Sequence, residues 1–282
     1  METLLSAGPL RDTLIYYGTV TASCELARHV CDRFLDKKST LFLFAIEFLG
    51  TLQVTTTIFE NGVVDIYFGR QMFALTLFTM GLVFAFCTRG AFCSPLAPFE
   101  QYVFGKMKLK EFIRTIIAQL FAGYCSYRFA RTIWTQTYVP SEAHTRMASL
   151  VDQCQFNHQY QLYVHLAFEL IGTFIVRHVL VRATSEERDS RIRTIFPAFF
   201  MAMVFTGTVT YVGDQALDPL VATTLFYGCR GIDVQQYILI YWLAPVVGWL
   251  ASAYVDNSKS KKLKNKVEKE EKKKLKNQKK NN

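Results

Sequence analysis

Six stretches of the chain are apolar over lengths near the roughly 20 helical residues that a bilayer crossing needs: 41–59, 72–87, 112–134, 162–180, 194–212 and 237–254. Polar residues collect in the segments between them. The second stretch is short. The third carries Arg114, Arg128 and Arg131; Arg114 and Arg131 lie near enough to its ends to snorkel, whereas Arg128 calls for a partner. Two further apolar stretches, 96–104 and 220–227, are too short to span. Each follows a capping residue and a proline, Ser94-Pro95 and Asp218-Pro219. Ser and Asp cap helix starts well, and proline suits the first turn, where its missing N–H has no intrahelical role. These two segments therefore read as re-entrant half-helices. The stretch 10–34 is broken by Arg11, Asp12, Glu25, Arg28 and Arg33. It reads as an amphipathic helix, on the membrane surface or packed on the bundle, and not as a cleaved signal segment.

The pattern repeats. Ala45-Ile46-Glu47-Phe48-Leu49-Gly50-Thr51 returns as Ala167-Phe168-Glu169-Leu170-Ile171-Gly172-Thr173, an offset of 122 residues, and the Ser94-Pro95 and Asp218-Pro219 starts are offset by 124. Two landmarks in common register describe a duplicated membrane unit with a site where the halves meet. Connecting segments 88–111 and 181–193 carry Arg89, Lys106, Lys108, Lys110, Arg182, Arg188, Arg191 and Arg193, against Arg70, Arg146 and Arg230 in 60–71, 135–161 and 213–236. The positive-inside rule places the first set, and with six crossings both termini, in the cytosol. Three spans per half make the repeat inverted, so the half-helices enter from opposite faces with their positive N-terminal ends converging near the midplane. The predicted fold is an all-α membrane protein of six transmembrane helices and two re-entrant half-helices. Its units are an N-terminal segment 1–40, a first repeat 41–134, a connecting loop 135–161, a second repeat 162–254 and a basic tail 255–282.

Composition adds little to this and removes some alternatives. Hydrophobic residues make up 51% of the 282 and aromatics 15%, in keeping with a membrane bundle. The net charge of +9 sits entirely in the tail from Lys259 on, where twelve Lys face three Glu. The body is close to neutral, so the basic balance gives no reason to expect nucleic acid as a partner. The seven cysteines show no metal-ligand spacing and read as small buried hydrophobes; a pairing of Cys154 with Cys229, both in segments assigned outside, stays open. No nucleophile–base pair, phosphate loop or metal cluster is evident, so neither an enzyme nor a cofactor is expected.

These features resemble the major intrinsic protein family, the aquaporins and aquaglyceroporins, over about 41–254. The resemblance is carried by the two Glu-containing heptapeptides, by Gly90-Ala91-Phe92-Cys93-Ser94-Pro95-Leu96 and Asp218-Pro219-Leu220 at the two Asn-Pro-Ala boxes, by Ile116-Ile117-Ala118-Gln119-Leu120 in the third helix, and by Tyr241-Trp242-Leu243-Ala244-Pro245-Val246-Val247-Gly248 in the sixth. Neither box keeps its Asn or its Ala, and Val221 stands where the family has a filter Arg. With Cys229 after the second half-helix, these departures resemble the unorthodox subcellular branch, the superaquaporins. The resemblance implies a homotetramer embedded in lipid. It also implies that Glu47 and Glu169 support the re-entrant loops, and that Phe73, Thr206, Gln215 and Val221 line the constriction.

The changed residues have two readings each. Ser94 and Asp218 either cap their half-helices or face the pore. An ionised Asp218, with no filter Arg nearby, lowers the barrier to cations. Gly50, Gly172, Gly207 and Gly248 are expected to permit close helix contact. His165, four residues before Glu169, is either a hydrogen-bonded neighbour or a proton relay. The leading function is a passive channel for water or small neutral solutes such as glycerol or hydrogen peroxide. The alternatives are a proton- or ion-coupled transporter using Glu47, Glu169 or Asp218, and a non-conducting structural member of the family. Lys279 and Lys280 match a dilysine retrieval signal read by a coat-type receptor, which favours the endoplasmic reticulum over the alternative, the plasma membrane.

Overall fold

The computed structural model describes residues 7–136, 142–156, 160–213 and 215–258. The helices are α1 (Ala7–Phe34), α2 (Thr40–Cys87), α3 (Leu96–Val103), α4 (Leu109–Gln136), α5 (Glu142–Gln153), α6 (Leu162–Ala183), α7 (Ser190–Tyr211), α8 (Pro219–Phe226) and α9 (Val234–Ser258). By length and composition α2, α6, α7 and α9 can each cross a membrane. α2 is the first two predicted spans in one. It departs from helical geometry at Gly69 alone, where φ is 79°, a left-handed conformation open to glycine without strain. The second arm returns beside the first: Arg70 bonds Asp65 at 2.7 Å, and Gly50 in the first arm faces Thr88, Ala91 and Cys93 just past the second. The loop expected at 60–71 is therefore helix up to the bend. Its polar residues are no longer loop-like once Glu60 and Asn61 are buried and bonded.

Local chemistry sets the helix ends. Ser39 accepts from Phe42 N at the start of α2, and Asp189 from Arg191 N at the start of α7. Asp233 and Gln236 form a capping box at α9. In α9 the turn Leu239–Leu243 widens to a π-helix just before Pro245, whose ring cannot donate to the preceding turn and crowds its carbonyl.

The bundle buries polar side chains beside its apolar clusters and turns apolar ones outward as well. The buried face of α2 carries Thr51, Gln53, Thr55, Thr56, Thr57 and Glu60, while Leu75, Phe86, Ile171, Ile175, Phe199 and Met203 face outward. Lipid solvates the apolar face, and inside the bundle the Thr55 and Thr57 hydroxyls bond back to Thr51 O and Gln53 O. Glu60, fully buried, accepts from Thr13 Oγ1 at 2.7 Å and Trp134 Nε1 at 2.8 Å and faces His144 Nε2 at 3.0 Å. It ties α1, α2, α4 and α5 together. At the other end Arg177 of α6, 4% exposed, donates to both oxygens of Glu100 on α3 at 2.8 Å and to Asp256 on α9 at 2.9 Å. Trp249 Nε1 also bonds Glu100 at 2.8 Å. The segment 10–34 lies within α1, which packs along the first arm of α2. Arg128 finds its partner locally: it bonds Tyr124 O at 2.8 Å and lies 3.8 Å over the Tyr124 ring.

Close helix approach is made at Gly248, whereas Gly50 and Gly172 give room to the turns that hold Ala91, Cys93 and Leu217. A Cβ at Gly248 would stand 2.1 Å from Leu170 O, and one at Gly172 2.5 Å from Leu217 Cδ2. Gly207 has open space beside it among the described residues of this chain, so the close contact expected there is not made within them.

Candidate functional site

Two re-entrant turns lead into α3 and α8, and each is held by the repeated glutamate. Glu47 Oε2 accepts from Phe92 N and Oε1 from Cys93 N, both at 3.0 Å. Glu169 Oε1 accepts from Ala216 N at 2.8 Å and Leu217 N at 3.1 Å. In both halves the donors are the two residues just before the box. In both the residue before the box is left-handed, Cys93 with φ 55° and Leu217 with φ 52°. Such a conformation is uncommon for residues with a Cβ, and here the carboxylate fixes the amides on either side of the turn. Gly50 and Gly172 clear the space the turns enter.

The half-helices meet head to head. Asp218 caps α8, its Oδ1 accepting from Leu220 N at 2.8 Å and Val221 N at 3.0 Å. Its Oδ2 accepts from the Ser94 hydroxyl, 124 residues away. Ser94 Oγ also accepts from Leu96 N at 3.3 Å, so both residues cap their helices and face each other as well. Pro95 and Pro219 open the two helices; Leu96 and Leu220 are 2% and 1% exposed and pack inward. One carboxylate thus sits where two positive helix ends converge.

The proposed constriction residues are dispersed. Phe73 is buried in the apolar cluster that includes Tyr17, Phe59, Val63 and Trp134; an aromatic beside the α2 bend fills core. The Thr206 hydroxyl bonds back to Ala202 O at 2.7 Å. Gln215 is 5% exposed and bonds His165 Nδ1, so His165 braces the turn before α8. Val221 lies in the first turn of α8, its N–H held by Asp218. The connecting segment is pinned to the end of α8: Cys154 and Cys229 form a disulfide, with Phe156 N to Arg230 O at 2.8 Å and Arg230 N to Cys154 O at 3.0 Å beside it. Lys279 and Lys280 lie outside the described residues.

Two contributors have roles that the sequence left unassigned, although Gln119 lies in the third-helix motif. Gln119 of α4 donates to Glu47 Oε1 at 2.8 Å and Ser94 O at 3.0 Å, bridging the loop support to the box. Its signal was an amide within the apolar run Ile116–Phe121. Arg177 anchors the far end of α3 through Glu100; its signal was a charge inside the fourth apolar span.

The model of the family described as "Major intrinsic protein" matches residues 20–256. A "Putative aquaporin-10" of Caenorhabditis elegans is 34% identical over 89% of this chain and 88% of its own length. An "Aquaporin-11" of Milnesium tardigradum is 24% identical over 87% and 86%, and the "Aquaporin-11" of Rattus norvegicus is 23% identical over 89% and 92%. With its paired glutamates, inverted half-helices and six bundle spans, the chain belongs to the major intrinsic protein family of membrane channels, whose members are channels and not enzymes.

Proposed function

We propose that this channel passes water and small neutral solutes, glycerol or hydrogen peroxide among them, past a midplane made by Ser94 and Asp218. The carrying observation is the direct bond between those two side chains. Ser94 has one hydroxyl proton, committed to Asp218, and an ionised Asp218 has none. With Asp218 ionised the midplane would offer acceptor oxygens and no free donor, and Val221 supplies no cation beside them. Donors and a fixed positive charge are what repel cations in a narrow pore. Their loss makes this pore tolerant of cations as well as of neutral solutes.

The test is light-scattering swelling of proteoliposomes under water and then glycerol gradients, with current recorded in planar bilayers. Permeability above empty liposomes with a small cation current is expected. Asp218→Asn keeps one capping oxygen and restores a donor, and should cut the cation current several-fold while solute flux persists. Flux equal to the empty control, from folded protein, would overturn the channel reading and favour a non-conducting member. Flux that needs a proton gradient would favour coupled transport.

The protein is read as lipid-embedded, as a homotetramer, and as resident in the endoplasmic reticulum. Two features support that compartment. The Cys154–Cys229 disulfide suits an oxidising non-cytosolic face, and the lysine-rich tail holding Lys279 and Lys280 on the cytosolic face suits a coat-type receptor.

A further inference from the structure

We infer that α1 crosses the membrane as a seventh helix, which puts the chain ahead of it on the non-cytosolic side. Its 28 residues extend about 42 Å, longer than the roughly 30 Å hydrocarbon layer. It runs antiparallel to the first arm of α2, which is itself a crossing span. Near its start Thr13 bonds Glu60, the group that His144 of the outer connecting segment also meets. In mid-helix the Tyr16 hydroxyl donates to Thr56 O at 2.9 Å and Tyr17 to Asn61 Oδ1 at 2.6 Å. Further on Arg28, 0% exposed, bonds Gln53 and Leu49 O. At its end Asp32 pairs with Arg89, in a connecting segment that loop charge assigns to the cytosol. A helix that follows a crossing span from one face to the other lies in the bilayer with it.

The faces of α1 agree. Asp12, Thr13 and Arg28 point into the bundle. The outward positions between Arg11 and His29 include Leu14, Ile15, Thr19, Ala22, Ser23 and Leu26, none of them charged. Those 18 steps measure about 27 Å, close to the thickness of the acyl layer. Glu25, at the edge of that face, is held by Arg28 and Arg89. The flanks follow the positive-inside rule too, with Arg33, Lys37 and Lys38 at the cytosolic end and Arg11 at the other. Hydropathy along the sequence hides the span, because it counts Asp12 and Arg28, which are buried against the bundle. Seven crossings replace the six expected, and the cytosolic N-terminus with them.

The test uses full-length protein in sealed endoplasmic-reticulum vesicles, with one epitope ahead of Met1 and another in the C-terminal tail. Protease added outside should remove the C-terminal epitope, spare the N-terminal one, and remove both once detergent opens the vesicles. Loss of both from sealed vesicles overturns the proposal. As a second readout, Ala22→Arg puts a charge at the centre of the outward face and should lower the yield of folded protein at least several-fold against Ala22→Leu. Equal yields would remove α1 from the lipid.

Discussion

The paired glutamates show how one residue type can do one job with two different tolerances. Glu47 uses both oxygens, one for Phe92 N and the other for Cys93 N and Gln119. Glu169 places both amides on Oε1, and its Oε2 has no hydrogen-bond partner among the described residues. An amide can replace the second arrangement but not the first. Glu169→Gln should therefore leave the melting temperature in detergent within a few degrees of the parent. Glu47→Gln must lose at least one bond to a charged acceptor, worth about 1.5–3 kcal/mol, and should lower it by roughly 3–10 °C. Equal losses in a thermal melt would show that the split between the oxygens is unimportant.

Among the helices, contact distance decides which glycines matter. Gly248 brings α9 against Leu170 O and Thr173 of α6, and a methyl there meets backbone at 2.1 Å. Gly248→Ala has to push α6 and α9 apart and should cost about 1–3 kcal/mol. Gly207 sits in α7, and a methyl added there would meet nothing within 4 Å. Gly207→Ala should be neutral or stabilise by up to about 1 kcal/mol through helix propensity. Chemical unfolding of the two variants side by side gives the comparison, and a larger loss at Gly207 would contradict the packing described.

For the whole molecule, the decisive asymmetry is between the two membrane faces. The disulfide and α5 lie on one, and the cluster of Arg177, Glu100 and Asp256 on the other. A cytosolic tail, as proposed, would leave Lys279 and Lys280 open to a coat-type receptor. Replacing both by alanine should move a large fraction of the protein from the endoplasmic reticulum to later membranes, read by fluorescence microscopy and glycan-independent fractionation. Unchanged distribution would assign retention to another region of the chain.

What the amino-acid sequence determined by itself were the features written locally. Apolar runs mark spans because a bilayer requires about 20 such residues. Ser94-Pro95 and Asp218-Pro219 mark helix starts because capping is a contact over two or three residues, and the duplicated glutamate heptapeptide marks the repeat. The roles of Glu47 and Glu169 followed from the family resemblance, and both carboxylates accept from the amides of the turns. Only the tertiary structure decided what depends on distant partners. The Ser94–Asp218 bond joins residues 124 apart. Phe73 went to the core and Gln119 to the box because neighbours on other helices set a side chain's surroundings. The course of α1 was hidden because hydropathy sums over all faces of a helix, whereas the bilayer touches one.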